Sequence, residues 1–175
     1  SATEVIIEIL NDGIDTVQIA ASYTLSEHLE NLLLDGTGDF IGTGNAAANR
    51  MTGNDGNNAF YAGSGNDSLF GQGDETDFLN GGEGDDLLHL MGADRATGGA
   101  GADRFDIQGS GGTIADYDPA QDRLVVVYDP SLHPDPQVTV QDDGADALVY
   151  LDGQELARIN GAAGLQSGLV GLRGL

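Results

Sequence analysis

The chain has 175 residues, 28 of them glycine, with no cysteine and six Lys plus Arg against 29 acids, for a formal net charge of −23. Such a charge disfavours nucleic acid and anionic membrane surfaces as partners, favours divalent cations, and makes the cation-free chain repel itself. With no disulfide available and so much glycine to order, a bound metal must supply part of the folding free energy.

Taken in chain order, Val5-Ile-Ile-Glu-Ile-Leu10 is apolar, but it is short, broken by Glu8 and preceded by no basic region, so it does not read as a signal peptide. No apolar run is long enough to span a bilayer. The start at Ser1 leaves room for an upstream part. Asp15–Ile19, Tyr23–Leu25, Glu30–Leu34 and Asp39–Ile41 are short apolar stretches between polar or glycine-rich turns, which predicts brief strands. Ser26-Glu-His-Leu-Glu30 has the Ser-x-x-Glu spacing that opens helices, although the run is short.

Between residues 44 and 106 the chain repeats in nines. Ala62-Gly-Ser-Gly-Asn-Asp67 precedes Ser68-Leu-Phe70, Gly81-Gly-Glu-Gly-Asp-Asp86 precedes Leu87-Leu-His89, and Gly98-Gly-Ala-Gly-Ala-Asp103 precedes Arg104-Phe-Asp106. Six glycine-rich residues make a turn whose carbonyls can converge, and three make a strand whose middle residue faces inward. That inward position reads Met51, Phe60, Leu69, Leu79, Leu88, Ala96 and Phe105, a thin core with two strands per coil.

Turns on one side then recur about every 18 residues. Asp67 to Asp86 is a step of 19 and Asp86 to Asp103 a step of 17, so these acids form a column. The opposite side holds Gly53-Asn-Asp-Gly-Asn-Asn58, then Gly71–Asp77 with one residue too many, then Leu90–Asp94 with one too few, which restores the register. Good cation sites are expected on the first side. Gly53, Asp55, Asn58, Gly71, Gly73, Asp77, Gly92 and Asp94 are weaker candidates on the second.

After Phe105 the periodicity stops. Gly109–Gly112 reads as a joint and Leu124-Val-Val-Val127 as a strand. Gln137–Gln141 alternates, and Leu148–Leu151, Asp152-Gly153 and Gln154–Ile159 form a hairpin signal, since Asp-Gly suits a type I′ turn. Residues 113–160 are expected to be antiparallel strands capping the open end. The tail, Gly161–Leu175, is rich in glycine and leucine.

The nonapeptide, Gly-Gly-x-Gly-x-Asp-x-U-x with U large and apolar, resembles the calcium-binding repeat of RTX proteins. Asp15-Thr-Val, Tyr23-Thr-Leu, Glu30-Asn-Leu and Gly42-Thr-Gly-Asn45 resemble the lead-in before such repeats in bacterial type I secreted proteins, and Thr113-Ile-Ala-Asp-Tyr-Asp118 resembles the Ile-x-Asp-Phe motif that closes them. The resemblance implies an all-β fold: a calcium-stabilised parallel β-roll, or solenoid, with a C-terminal antiparallel β cap. The division that goes with it is 1–43 for coils without good calcium turns, 44–106 for the repeat roll, and 107–175 for the cap and a secretion-signal tail.

The resemblance also implies ligands, in which an earlier turn gives its first and third carbonyls and its aspartate, and the next turn its second and fourth carbonyls and its aspartate. One site would use Ala62, Ser64 and Asp67 with Gly82, Gly84 and Asp86. The next would use Gly81, Glu83 and Asp86 with Gly99, Gly101 and Asp103. A third would pair Gly44, Ala46 and Asn49 with Gly63, Gly65 and Asp67, Asn49 supplying a neutral oxygen where the family has a carboxylate. Calcium takes six to eight oxygens at roughly 2.3–2.6 Å, so two or more Ca²⁺ ions are expected, with magnesium a poorer fit.

No catalytic constellation or cofactor site emerges. His28, His89 and His133 lie far apart, and Gly98-Gly-Ala-Gly lacks the lysine of a phosphate loop. Two functions remain. The first is a non-catalytic, calcium-folded module that supports type I secretion of its parent, extracellular and from a Gram-negative bacterium, with any catalytic domain upstream. The second is an adhesin or polysaccharide-binding accessory module of a secreted enzyme, for which outward Tyr61, Phe70 and Phe78 are slight support.

Overall fold

The computed structural model describes the backbone of residues 5–7 and all of residues 13–175. The apolar run of residues 5–10 and the start of the N-terminal coils lie largely outside the described residues. In chain order the strands are β1 (Val5–Ile7), β2 (Thr16–Ile19), β3 (Tyr23–Thr24), β4 (Asn31–Leu34), β5 (Ile41–Thr43), β6 (Arg50–Thr52), β7 (Ala59–Ser64), β8 (Ser68–Phe70) and β9 (Phe78–Glu83). They continue with β10 (Leu87–Met91), β11 (Arg95–Ala100), β12 (Arg104–Gln108), β13 (Gly112–Ile114), β14 (Arg123–Tyr128), β15 (Val138–Asp143), β16 (Asp146–Leu151), β17 (Gln154–Ile159) and β18 (Val170–Gly174).

The chain winds as a parallel β-roll. From β2 to β14 the even strands stack into one parallel sheet, here called the even sheet, and the odd strands from β3 to β13 into the other. Each turn of the roll carries the chain across from one sheet to the other, so each strand pairs with the strand one full coil away. Met51, Phe60, Leu69, Leu79, Leu88 and Phe105 are fully buried between the sheets and Ala96 almost so, as the nine-residue period requires. Ala62, Leu90 and Ile107 add a second inward residue where strands run beyond three residues. The N-terminal coils likewise bury two residues per strand: Val17 and Ile19 pack with Leu32 and Leu34.

Two expectations are corrected here. Ser26–Glu30 forms a single turn, closed by Leu29 N–H donating to Ser26 O, because the chain must return to β4 before a helix can nucleate. Residues 113–160 are not uniformly antiparallel: β13 pairs with β11 and β14 with β12, both parallel, adding one more coil to the roll. Only β15, β16 and β17 form an antiparallel meander, with Asp152 and Gly153 at φ 50° and 83° in the turn that the Asp-Gly signal predicts. The meander joins the roll through β17, parallel to β13, while the tail adds β18, parallel to β14. Both sheets thereby gain a terminal strand over edges that would otherwise stay open. Among the described residues no helix is long and apolar enough to cross a membrane.

Candidate metal centre

The turn over residues 81–86 shows how glycine shapes the site. Gly82 and Gly84 sit at φ 108° and 125°, a region that L side chains rarely enter. A Cβ on Gly82 would overlap the carbonyl oxygen of Gly63 one coil earlier, and a Cβ on Gly84 would overlap that of Gly65. These carbonyls therefore point toward the later coil, as do those of Asn45 and Ala47, which lie against Gly63 and Gly65. Alternate turn carbonyls point back. Ala62 O lies against Gly44 and Gly98 O against Gly81, while Glu83 O and Ala100 O accept from Gly65 N–H and Gly84 N–H at 2.8 Å.

Each interval between coils is thus lined by the second and fourth carbonyls of the earlier turn and the first and third of the later one. This regroups the expected ligand sets. Gly63 and Gly65 face Gly81, Glu83 and Asp86; Gly82 and Gly84 face Gly98, Ala100 and Asp103; Asn45 and Ala47 face Ala62, Ser64 and Asp67. By the same alternation Gly99 and Gly101 serve the interval beyond Asp103, and Gly44 and Ala46 the one before Asn49. The motif carries no information on which way the alternate peptides tilt along the roll axis.

The acids stack as the steps of 19 and 17 require. Oδ1 of each accepts the backbone N–H at the acid position one coil earlier: Asn49 to Asp67 at 2.6 Å, Asp67 to Asp86 at 2.8 Å, Asp86 to Asp103 at 2.9 Å. The second oxygen turns back into its own loop, so that a Cβ on Gly81 would overlap Asp86 Oδ2. Oδ2 of Asp67 and of Asp86 is buried and has no hydrogen-bond partner.

An ionised oxygen in that position is costly, and the groups around it are themselves acceptors, so a cation is what can satisfy it. Burial pushes Asp67 up to about 6 and Asp86 up to about 7; the N–H groups of Asn49 and Asp67 oppose this, and neighbouring acids add to it at Asp86. Asp103 is raised by burial as well, with Asp122, Asp116 and Asp85 contributing. All-oxygen donors of mixed carbonyl and carboxylate type suit calcium. Among the described residues no three His, Cys, Asp or Glu side chains are grouped to hold an ion, so the backbone must provide most ligands.

The second column is better formed than its sequence suggests. Asn58 N–H donates to Asp77 Oδ1 at 2.7 Å and Asp77 N–H to Asp94 Oδ1 at 2.8 Å. Asp77 Oδ2 and Asn58 Oδ1 are buried without partners, and Oδ2 of both Asp77 and Asp94 converge beside Gly71. Burial raises Asp77 and takes Asp94 to about 7. The turns differ, however. Gln72, Gly73 and Gly92 lie at φ 76°, 65° and 63°, Asp94 Oδ2 is also occupied by Met91 N–H at 2.7 Å, and Asp55 is exposed.

Both ends of the first column use groups outside the expected ligand sets, Asn45 at the start beside the expected Asn49, and Asp116 and Asp122 at the other end. At the start, Asn49 Nδ2 donates to Leu29 O and Glu30 O at 3.1 and 3.3 Å, and Asn45 Nδ2 to Ser26 O and Leu29 O at 2.6 and 2.8 Å. Amide donors thus satisfy carbonyls of the turn before β4. At the other end, Asp122 accepts from Asp103 N–H at 2.9 Å and Asp118 N–H at 2.8 Å, and Asp116 from Gly98 N–H and Gly99 N–H at 3.0 and 2.9 Å. Asp122 follows Asp103 by 19 residues, a signal of the same step without its glycine frame. Of the histidines, His28 is exposed, His89 stacks with Phe70 at 5.8 Å between ring centroids, and His133 pairs with Asp152.

These stacked, carbonyl-lined acid turns define a calcium-binding β-roll. The family model of the RTX calcium-binding nonapeptide repeat (4 copies) matches residues 43–75 and 72–105. Residues 43–105 therefore carry repeats of the RTX calcium-binding type. A search of the curated proteins found no match. Among solved structures, the solution structure of the AlgE6R3 subunit from the Azotobacter vinelandii mannuronan C5-epimerase is 22% identical, with a TM-score of 0.40, over 78% of this chain and 80% of that one.

Proposed function

We propose that this chain is a calcium-ordered, non-catalytic module that stays loose where free calcium is low, folds outside a Gram-negative cell, and so supports type I export of its parent protein. The observation that carries this reading is the set of buried, unpartnered carboxylate oxygens on Asp67, Asp77 and Asp86, each in a loop of further acceptors. Extracellular calcium modules bind at roughly 0.1–1 mM, far above the cytosolic level, so the ion itself supplies the difference between compartments. In this reading the ligands are the regrouped sets: Gly63, Gly65, Gly81, Glu83 and Asp86; Gly82, Gly84, Gly98, Ala100 and Asp103; and, with neutral Asn49 below, Asn45, Ala47, Ala62, Ser64 and Asp67.

Calorimetric titration with calcium and, separately, magnesium tests the ion; two or more calcium ions should bind, and full replacement by magnesium would contradict the reading. Export is tested by release of the chain from cells carrying a type I exporter, with and without Gly161–Leu175. Equal release of both forms would remove the tail from the account.

A further inference from the structure

The turns hold most of the acids, and the outer face of the even sheet holds most of the cations. Of the six arginines, Arg50, Arg104, Arg123 and Arg173 stand on that one face. Arg50, Ser68, Leu87, Arg104 and Arg123 form a single row across β6 to β14, each in register with the next. Arg50 and Arg104 are three strand spacings apart, about 14 Å, and Arg123 lies one spacing further. The outward positions of these strands include one acid, Asp106, between inward Phe105 and Ile107. It is covered by Arg104 at 2.7 Å and Arg173 at 2.6 Å, so the face keeps an excess of positive charge.

Beside the row lies an aromatic pair. Phe70 is in register with His89, and the Arg50 guanidinium sits 4.0 Å from the Phe70 ring centre. At the Arg50 end the same face carries a shallow hollow of about 350 Å³, lined by Thr16, Asn31, Leu33 and Thr52 among others. Arginine forks suit carboxylates, and the Thr and Asn groups offer partners for hydroxyls.

We infer that the outer face of the even sheet binds an acidic polysaccharide, a chain of uronate sugars laid across β4 to β14. The inference rests on the calcium-ordered roll proposed above, because bound calcium must neutralise the acid columns that edge the face. Nucleic acid fits less well: duplex DNA carries one charge per about 1.7 Å, too dense for a spaced row of arginines between acidic borders.

The test is calorimetric binding of tetragalacturonate, too short to gel, to the full chain in calcium at low ionic strength, with circular dichroism on the same samples. The comparison ligands are neutral cellotetraose, of about the span of the row, and a 12-nucleotide single strand, about twice as long. The expected result is binding of tetragalacturonate alone, weakened about tenfold or more in Arg50→Gln/Arg123→Gln and unchanged in Arg95→Gln, which alters the opposite sheet. A folded protein that does not bind, a double variant that binds as well as the parent, or an oligonucleotide bound as tightly would each overturn the inference. A chain without strand signal in calcium would instead contradict the calcium reading on which it rests.

Discussion

Asp86 donates its backbone N–H to Oδ1 of Asp103, 2.9 Å away and seventeen residues on, while its own Oδ1 receives the N–H of Asp67 at 2.8 Å. Each acid in the column is therefore half satisfied by the fold. The remaining oxygen, buried at Asp67 and Asp86, is left for a cation.

Asp86→Asn separates those two roles. The amide oxygen can keep the bond to Asp67 N–H, and the charge that burial disfavours is gone, so the variant should be more stable than the parent in chelator, by about 2 kcal/mol at pH 8. Its calcium affinity should fall at least about tenfold. Circular dichroism in chelator, where the variant should show more strand than the parent, and calorimetric calcium titration read the two. A variant weakened equally in the two conditions would show that Asp86 acts through packing alone.

The same acids set a pH dependence. Folded-state values of about 6 for Asp67 and about 7 for Asp86 and Asp94 stand above the ordinary 3.8. Between those limits the folded, metal-free roll binds more protons than the unfolded chain, so its stability falls as pH rises through 6 to 7. In chelator the chain should show more strand by circular dichroism at pH 5 than at pH 8, while calcium affinity moves the opposite way. A metal-free roll that gains stability between pH 5 and 8 would contradict the assignment.

Gly82→Ala puts a methyl group at φ 108° and against Gly63 O, so neither the backbone nor the space accommodates it. A cost above about 2 kcal/mol is expected. Gly144→Ala, at φ 72° with nothing within 4 Å of the new atom, should cost only about 1 kcal/mol. Calcium-dependent melting of both distinguishes close coil packing from turn strain, and equal losses would argue against the first.

Removing residues 129–175 strips β17 from β13 and β18 from β14 while keeping Asp116, Asp122 and every carbonyl of the repeat turns. The truncated chain should lose the calcium-induced transition or need far more calcium to reach it, as repeat arrays do without their terminal units. Unchanged calcium-induced folding would confine the cap to some other role.

Much of this was open to reading in the sequence because the repeat enforces two signals at once. One large apolar residue in nine fixed the core from Met51 to Phe105, and the paired steps of 19 and 17 placed Asp67, Asp86 and Asp103 in one column despite the irregular turn at Gly71–Asp77. The Asp152-Gly153 turn needed only local chemistry. Carbonyl direction did not follow from the motif, since the same six residues fit either tilt of the peptides. Asp116 and Asp122 lack glycine neighbours, and β18 is a short Val-Gly-Leu-Arg-Gly run without alternation, placed by its pairing with β14 and by Arg173 reaching Asp106. Both are set by tertiary contacts rather than by local pattern.

The most direct test of the account is far-ultraviolet circular dichroism of the full chain at pH 7.5, first in chelator and then in millimolar calcium. Stacked carboxylates one coil apart, roughly 5 Å, repel by about 1 kcal/mol per pair even at the dielectric of water. The account predicts a largely disordered spectrum in chelator that becomes strand-rich on adding calcium and does not do so with magnesium. A strand-rich spectrum in chelator at that pH, unchanged by calcium, would contradict it.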